Sequence, residues 1–173
     1  SLRELCDITE MREILEAEAF RRAIWRGDEE WESSVVAAFH RLSRAVERYD
    51  PRDEKTRLDW EAHHHAFHRQ LVAGCANPRL TSAVEGLYRH LMRYRTILRL
   101  TEIGAERLRV IHEELMQIAL DRDEEAAGPM MRRHVKVNLD QVRAGLAADS
   151  ELGRLIEQDT AEGPEGGPPA NRH

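Results

Sequence analysis

The chain is poor in the residues that build sheets and covalent frameworks. Only 5% of its residues are aromatic, and its two cysteines, Cys6 and Cys75, are far apart with no Cys-x-x-Cys spacing. This usage excludes a disulfide framework and a zinc finger. Glycine and proline are sparse before the C-terminal segment, and no stretch shows the period-two alternation of a strand. These absences favour an all-α protein.

Long apolar runs and an excess of basic residues are also absent. No run reaches the roughly 18 apolar residues of a membrane-spanning helix, and the opening residues SLRELCDITE do not resemble a signal peptide, so we expect a cytoplasmic protein with no membrane contact. The formal charge of −6 argues against a phosphate-binding surface on this chain. Any contact with DNA must therefore come from another domain.

Helical periodicity runs through most of the chain. We predict an antiparallel bundle of six or seven helices within one domain, 1–149, followed by a flexible Gly/Pro-rich tail, 150–173. The helical segments are, approximately, 8–26, 28–48, 56–74, 78–100, 105–121 and 123–148. The candidate N-caps are Asp7 or Thr9 for the first segment, Asp28 for the second and Asp123 for the sixth. Gly128-Pro129 predicts a kink or a late start in the sixth segment.

Four of the nine histidines lie within residues 60–71, WEAHHHAFHRQL. Because a helix advances about 100° per residue, His64 and His68 project from its apolar face. His65 is predicted to turn to solvent, and His63 lies at the boundary of the face. The spacing of four residues brings the His64 and His68 rings close enough to reach one ion.

Two further histidines lie on the apolar faces of other predicted helices. His112 shares its face with Leu108, Ile111, Leu115 and Ala119, and His134 lies beside Ala127, Met130 and Asn138. A single histidine on such a face is usually a core residue held by a hydrogen bond. Four inward imidazoles on three helices favour a shared divalent cation, which satisfies them all.

Four stretches, in order, resemble the C-terminal ligand-binding (FCD) domain of GntR transcription regulators of the FadR subfamily. They are TEMREILEAEAFRRAIWRGDEEWE, similar to the family's opening helix pair; AFHRQLVAGCANPRL, similar to its FH-x-x-L…NP-x-L signature; RYR at 93–95; and HEELMQIALDRDEEAAGPMMRRH, similar to its final segment. The likeness covers residues 1 to about 145. It implies a helical effector-binding domain preceded by a winged helix-turn-helix, which this chain lacks.

In that family three histidines and an acid, placed four residues before the first histidine, hold a divalent metal. By position, the ligands here are His68, His112 and His134, and His64 takes the place of the acid. An all-imidazole set brings no negative charge, so we expect an anionic effector or a buffer anion to join the ion. Such a set favours Zn²⁺ or Ni²⁺ over Mg²⁺ or Ca²⁺. An alternative register, Asp59 with His63, restores the acid.

A small carboxylate effector needs groups that bind it, and arginine does so with a planar fork of donors. Arg12 matches the family's arginine on the first helix, and it neighbours the apolar Met11 and Leu15, which we predict to face inward. The other candidates are Arg93, Arg95, Tyr94 and Asn138. Because the chain holds 24 arginines, a surface ion pair is the alternative for each of them.

The resemblance implies an effector-sensing and dimerising domain whose ligand shifts the placement of attached DNA-binding domains. A second apolar stripe on the sixth helix favours a homodimer, or else packs on the first helix of the same chain. It consists of Val135, Leu139, Val142 and Leu146.

Two other classes of protein use similar histidines. A helical-bundle metallohydrolase or oxygenase needs a general base beside the metal, but Glu113 and Glu114 project off the inward face of their helix. A di-iron or cofactor-carrying bundle needs paired Glu-x-x-His motifs, and Glu61 with His64 supplies only one. An effector-sensing domain is therefore the preferred interpretation.

Overall fold

The computed structural model describes residues 2–98 and 105–148, with side chains except at positions 2, 93, 95–98, 105–108, 138 and 141–148. These ranges contain helices and no strand, which confirms the predicted all-α bundle. The helices are α1 (Leu2–Arg26), α2 (Glu29–Glu47), α3 (Glu54–Ala73), α4 (Pro78–Leu98), α5 (Ala105–Leu120) and α6 (Glu124–Ala148). The tail predicted at 150–173 lies outside the described residues.

Local side-chain caps fix where several helices begin. The carboxylates of Asp28 and Asp123 accept backbone N–H bonds at 2.8 and 2.9 Å, and so cap α2 and α6 as predicted. Asn77 caps α4, and Pro78 takes its first position, where a missing N–H costs nothing. Because α6 begins directly after its cap, the alternative of a late start is wrong, and Pro129 lies inside the helix.

The start of α1 differs from the prediction. The helix begins at Leu2, so Asp7 and Thr9 lie inside it and neither is the N-cap. Thr9 instead donates its buried hydroxyl to the Leu5 carbonyl at 2.8 Å. Met11, predicted to face inward, is 46% exposed. The buried face of α1 instead includes Arg12 and Glu16, together with the apolar Ile8, Ala19 and Ile24.

The main core lies where α1 packs along α6 and where α2 packs on α3 and α5. The predicted inward residues of α2 are all buried; they are Trp31, Val35, Ala38 and Leu42. Trp31 also donates its indole N–H to the Gln70 carbonyl at 2.8 Å, which joins α2 to the end of α3. In the described part of the chain, no helix is long and apolar enough to span a membrane.

The second apolar stripe of α6 is partly covered from within the chain. Val135 is buried in the main core, and Leu139 packs on a smaller cluster that contains residues of α1 and α4: Leu5, Ile8, Leu91 and Tyr94. The other two members of the stripe lie outside the described side chains. The predicted homodimer therefore stays a prediction, without support from these two residues.

Candidate metal centre

Three helices direct histidines into the core at one place. His64 and His68 come from successive turns of α3, His112 comes from α5 and His134 from α6, and all four are buried, as predicted. Their candidate ligand nitrogens lie within 4.8 Å of one another. This buried group can hold a metal ion.

The spacing of the ring nitrogens matches metal coordination. The Nε2 atom of His68 lies 3.0 Å from Nε2 of His134 and 3.4 Å from Nε2 of His112. Two bonds of about 2.1 Å from nitrogen to one ion separate their nitrogens by about 3.0 Å at a right angle and about 3.4 Å at the tetrahedral angle. These two nitrogen separations are therefore of the size that a single cation would impose on its ligands.

His68 lies at the middle of this group. Its Nδ1 has no hydrogen-bond partner among the described residues. Burial above all, and then the neighbouring His64, His134, His112 and Arg12, lower the pKa of His68 well below the usual value of 6.5. A neutral imidazole is the form that binds a metal. The residues present therefore fit a divalent cation.

His64 is held on its outer side by three residues. Its ring stacks on Trp60, with centroids 4.9 Å apart and planes inclined by 16°. Its Nδ1 lies 3.4 Å from the Tyr88 hydroxyl and 3.6 Å from Oε1 of Glu61, and Tyr88 donates to that same oxygen at 2.7 Å. In the sequence, the Glu61–His64 spacing was recognisable only as half of a di-iron motif, and Tyr88 was not predicted.

A cavity of about 510 Å³ opens beside the histidines, between α3 and α4. Its lining includes His68 and Tyr88 from the groups above, together with Glu16 of α1. His65, predicted to face solvent, also lines it: the ring stacks on Tyr88 with centroids 4.0 Å apart, and its Nε2 lies 3.0 Å from Glu85. His68 is therefore both a candidate metal ligand and part of the cavity lining.

Arg12 contacts two residues of the cavity lining, Glu16 and Tyr88. It is only 1% exposed, its Nε donates to Glu16 at 2.5 Å, and its guanidinium lies 5.9 Å from the centre of the Tyr88 ring. Both partners line the cavity. Arg12 was predicted from the sequence and Glu16 was not, although their spacing of four residues is a signal of an ion pair on one helix face.

Comparison of the sequence with known proteins identifies its family. The family model of the FCD domain matches residues 7–137. The chain belongs to the FCD-domain family. It is similar to the uncharacterized HTH-type transcriptional regulator BphR of Paraburkholderia xenovorans (strain LB400), at 34% identity over 146 residues that cover 83% of this chain and 58% of that protein.

A second relative supports the same membership. The chain is 36% identical over 153 residues to the HTH-type transcriptional repressor GlaR of Escherichia coli (strain K12), covering 86% of this chain and 69% of that protein. No solved structure matches the chain significantly. These relatives confirm the resemblance and the predicted role of the FCD domain, which is an effector-binding regulatory domain and not an enzyme.

The alternative pair of metal ligands, Asp59 and His63, lies nearer the surface of the FCD domain than the four-histidine group does. His63 is 3.5 Å from Asp59, but both side chains are partly exposed and Asp59 also pairs with Arg48 at 3.0 Å. Neither residue belongs to the four-histidine group. The carboxylates after His112 are likewise exposed, and they pair with surface arginines.

The remaining predicted effector residues are not brought to the cavity by the described contacts. Tyr94 is buried in the smaller cluster, where its hydroxyl donates to Glu4, and it is not part of the cavity lining. The side chains of Arg93, Arg95 and Asn138 lie outside those that the structure describes. Of the predicted set, Arg12 is the one described residue in contact with the cavity wall.

Proposed function

We propose that this FCD domain senses a small organic carboxylate with the help of a divalent cation, as part of a metabolite-responsive transcription regulator. The observation that carries the proposal is that His68 belongs both to the group of four buried imidazoles and to the lining of a cavity of about 510 Å³. A ligand in that cavity lies within reach of an ion held by the histidines.

The cation is the first element of the proposal. His64, His68, His112 and His134 are its ligands, and Zn²⁺ or Ni²⁺ is the preferred ion because imidazole nitrogens suit these metals better than Mg²⁺ or Ca²⁺. Four neutral rings leave the ion its full double charge in a buried place. An ion in that state attracts an anion to its open coordination positions.

The effector supplies that anion. One carboxylate oxygen completes the coordination of the metal, and the Arg12 side of the cavity binds the rest of the carboxylate or a second one. Arg12 keeps further N–H donors besides the Nε–H that it gives to Glu16. A dicarboxylate therefore suits the site, with one end on the metal and the other near Arg12.

The regulatory output lies outside this chain. The relatives are HTH-type regulators, and the chain spans 58% of the length of BphR. In the proposal, an N-terminal winged helix-turn-helix domain binds DNA in the cytoplasm, the FCD domains associate as a homodimer, and the effector shifts the relative placement of the DNA-binding domains.

Metal titration tests the proposal directly. Protein stripped with a chelator is titrated with Zn²⁺, Ni²⁺ and Mg²⁺ by calorimetry, using His68→Ala as the ligand variant and His63→Ala as the matched control on the same helix. We expect tight Zn²⁺ or Ni²⁺ binding by wild type and His63→Ala, and its loss in His68→Ala. A preference for Mg²⁺, or equal Zn²⁺ binding by both variants, contradicts the metal assignment.

The effector is tested on the metal-loaded protein. Succinate and glutarate are titrated with and without bound Zn²⁺, and butyrate, which has one carboxylate, serves as the control. We expect dicarboxylate binding that requires the metal and exceeds the binding of butyrate. Dicarboxylate affinity that is the same in stripped and loaded protein overturns the proposed role of the ion.

A further inference from the structure

A buried cation with four neutral ligands lacks a compensating negative charge. A carboxylate next to the ligand shell can supply part of that compensation. Glu61, one turn before His64 on α3, is a carboxylate in contact with the group. Its side chain is 15% exposed, so solvent screens its charge only in part.

Glu61 contacts the candidate ligand His64 both directly and through Tyr88. Tyr88 donates its hydroxyl hydrogen to Oε1 of Glu61 at 2.7 Å, which leaves the hydroxyl oxygen as an acceptor. Nδ1 of His64 lies 3.4 Å from that oxygen and 3.6 Å from Oε1 of Glu61. Both groups accept hydrogen bonds, so they favour a proton on Nδ1. A neutral ring protonated there keeps its lone pair on Nε2.

We infer that Glu61 and Tyr88 are positioning residues of the metal centre: they fix His64 in the tautomer that offers Nε2 to the cation and set a negative charge behind that ring. The inference rests on the proposed metal binding. Stacking on Trp60 holds the plane of the His64 ring, and the Glu61–Tyr88 pair selects which nitrogen carries the proton. Histidine ligands are commonly oriented in this way by a carboxylate on the other ring nitrogen.

The chain offers a matched control for this pair. Asp59 lies 3.5 Å from Nε2 of His63, so it too is a carboxylate in contact with an imidazole on α3. Neither residue belongs to the four-histidine group or to the cavity lining. A loss that comes only from removing a carboxylate beside an α3 imidazole will therefore appear in both the Glu61 and the Asp59 variants.

The test compares Zn²⁺ affinities measured by competition with a chromophoric chelator. We expect Glu61→Gln and Tyr88→Phe to weaken Zn²⁺ binding about 10-fold to 100-fold, the usual effect of removing such an outer partner. Asp59→Asn is expected to bind as wild type does. Both test variants keep the size of the side chain, and Tyr88→Phe keeps the ring that stacks on His65. The Co²⁺ absorption spectrum is also expected to change in these two variants alone.

A double-mutant cycle separates positioning from a structural effect. In a His64→Ala background, Glu61→Gln is expected to cost no further Zn²⁺ affinity, because the ring that it orients is gone. An equal loss in both backgrounds overturns the inference. Wild-type affinity in Glu61→Gln and Tyr88→Phe overturns it as well, while leaving the proposed metal site intact. If wild type itself binds no Zn²⁺ or Ni²⁺, the proposed function fails, and this inference fails with it.

Discussion

Apart from Thr9, the buried polar side chains of the described residues contact one another. Arg12, Glu16 and the four clustered histidines are each at most 6% exposed, a degree of burial that is costly for an isolated polar or charged group. Arg12 and Glu16 offset each other as an ion pair. His68 has only part of its hydrogen-bonding capacity satisfied by the described residues, because its Nδ1 has no partner among them. A cation and an anionic ligand would complete the set.

The Arg12–Glu16 pair gives a prediction about stability. Arg12→Met leaves the Glu16 carboxylate buried without its partner, and we expect the free energy of unfolding to fall by about 3–5 kcal/mol. The double variant Arg12→Met/Glu16→Met removes both charges, and we expect it to recover most of that loss. Urea unfolding of the three proteins measures the difference. A double variant that is no more stable than Arg12→Met contradicts the buried pair.

The lowered pKa of His68 gives a prediction about pH in the metal-free protein. Between the folded pKa and the unfolded value of 6.5, the unfolded chain binds a proton at this ring that the folded chain does not. The free energy of unfolding therefore decreases as the pH falls below 6.5, by up to about 1.4 kcal/mol per pH unit from this one group.

The measurement is urea unfolding of chelator-treated protein over a series of pH values. His68→Gln is the comparison, because it keeps a polar side chain and removes the titrating ring. We expect its stability to depend less steeply on pH below 6.5. The same slope in both proteins would show that His68 does not titrate differently on unfolding.

At the scale of helices, the features that were predictable from the sequence are those that depend on neighbouring residues along the chain. Asp28 and Asp123 cap their helices through backbone groups three residues away, and the inward face of α2 is uniformly apolar. The inward assignment of Met11 was wrong for a related reason. Arg12 and Glu16 occupy part of the buried face of α1, so the apolar pattern does not follow burial at Met11.

The same distinction, between local sequence patterns and packing between helices, explains which residues of the candidate site were predicted. His64 and His68 share a helix face by their spacing, and His112 and His134 lie on apolar stripes, so the four-histidine group was predictable from local patterns. The position of Tyr88 depends on how α4 packs against α1 and α3, which no spacing within one helix encodes. The sequence therefore predicted the candidate ligands but not the residues that hold them.

Two glycines test how tightly the helices pack. A Cβ at Gly27 would collide with the Trp31 ring and lie 2.6 Å from the Ala23 carbonyl oxygen, so Gly27→Ala must displace the indole that joins α2 to α3. We expect a loss of roughly 1–3 kcal/mol in the free energy of unfolding, as for other overpacked core sites. A loss below the error of the urea measurement contradicts the close packing of Gly27 against Trp31.

Gly86 is the control for that substitution. It lies within α4, and a Cβ there meets nothing within 4 Å. Because alanine favours a helix over glycine by about 0.8–1.0 kcal/mol, we expect Gly86→Ala to raise the free energy of unfolding by about that amount. Opposite signs for the two glycine variants would confirm that the local packing, and not the loss of glycine itself, decides the outcome.

At the scale of the whole molecule, the candidate metal centre joins helices that the apolar core joins weakly. α5 packs mainly on α2 and α6, whereas a cation on the histidines links α5 and α6 to α3. The cavity lies between α3 and α4, and Glu16 of α1 also lines it. A ligand bound to the cation from the cavity would therefore link α4 to α5 and α6 through α3, and such a link would transmit ligand binding between helices.

The last prediction follows from this linkage. A cation that binds only the folded chain at about 100 times its dissociation constant adds about 2.7 kcal/mol to the free energy of unfolding. For a chain of this size, that corresponds to a rise of roughly 5–10 °C in the Tm. We expect Zn²⁺ to produce this rise in wild type and in His40→Ala, whose histidine is exposed on α2, but not in His112→Ala, which removes the only ligand from α5. Differential scanning calorimetry with Zn²⁺ and with chelator measures the shift. An equal shift in His112→Ala would mean that the ion stabilises the chain from some other place.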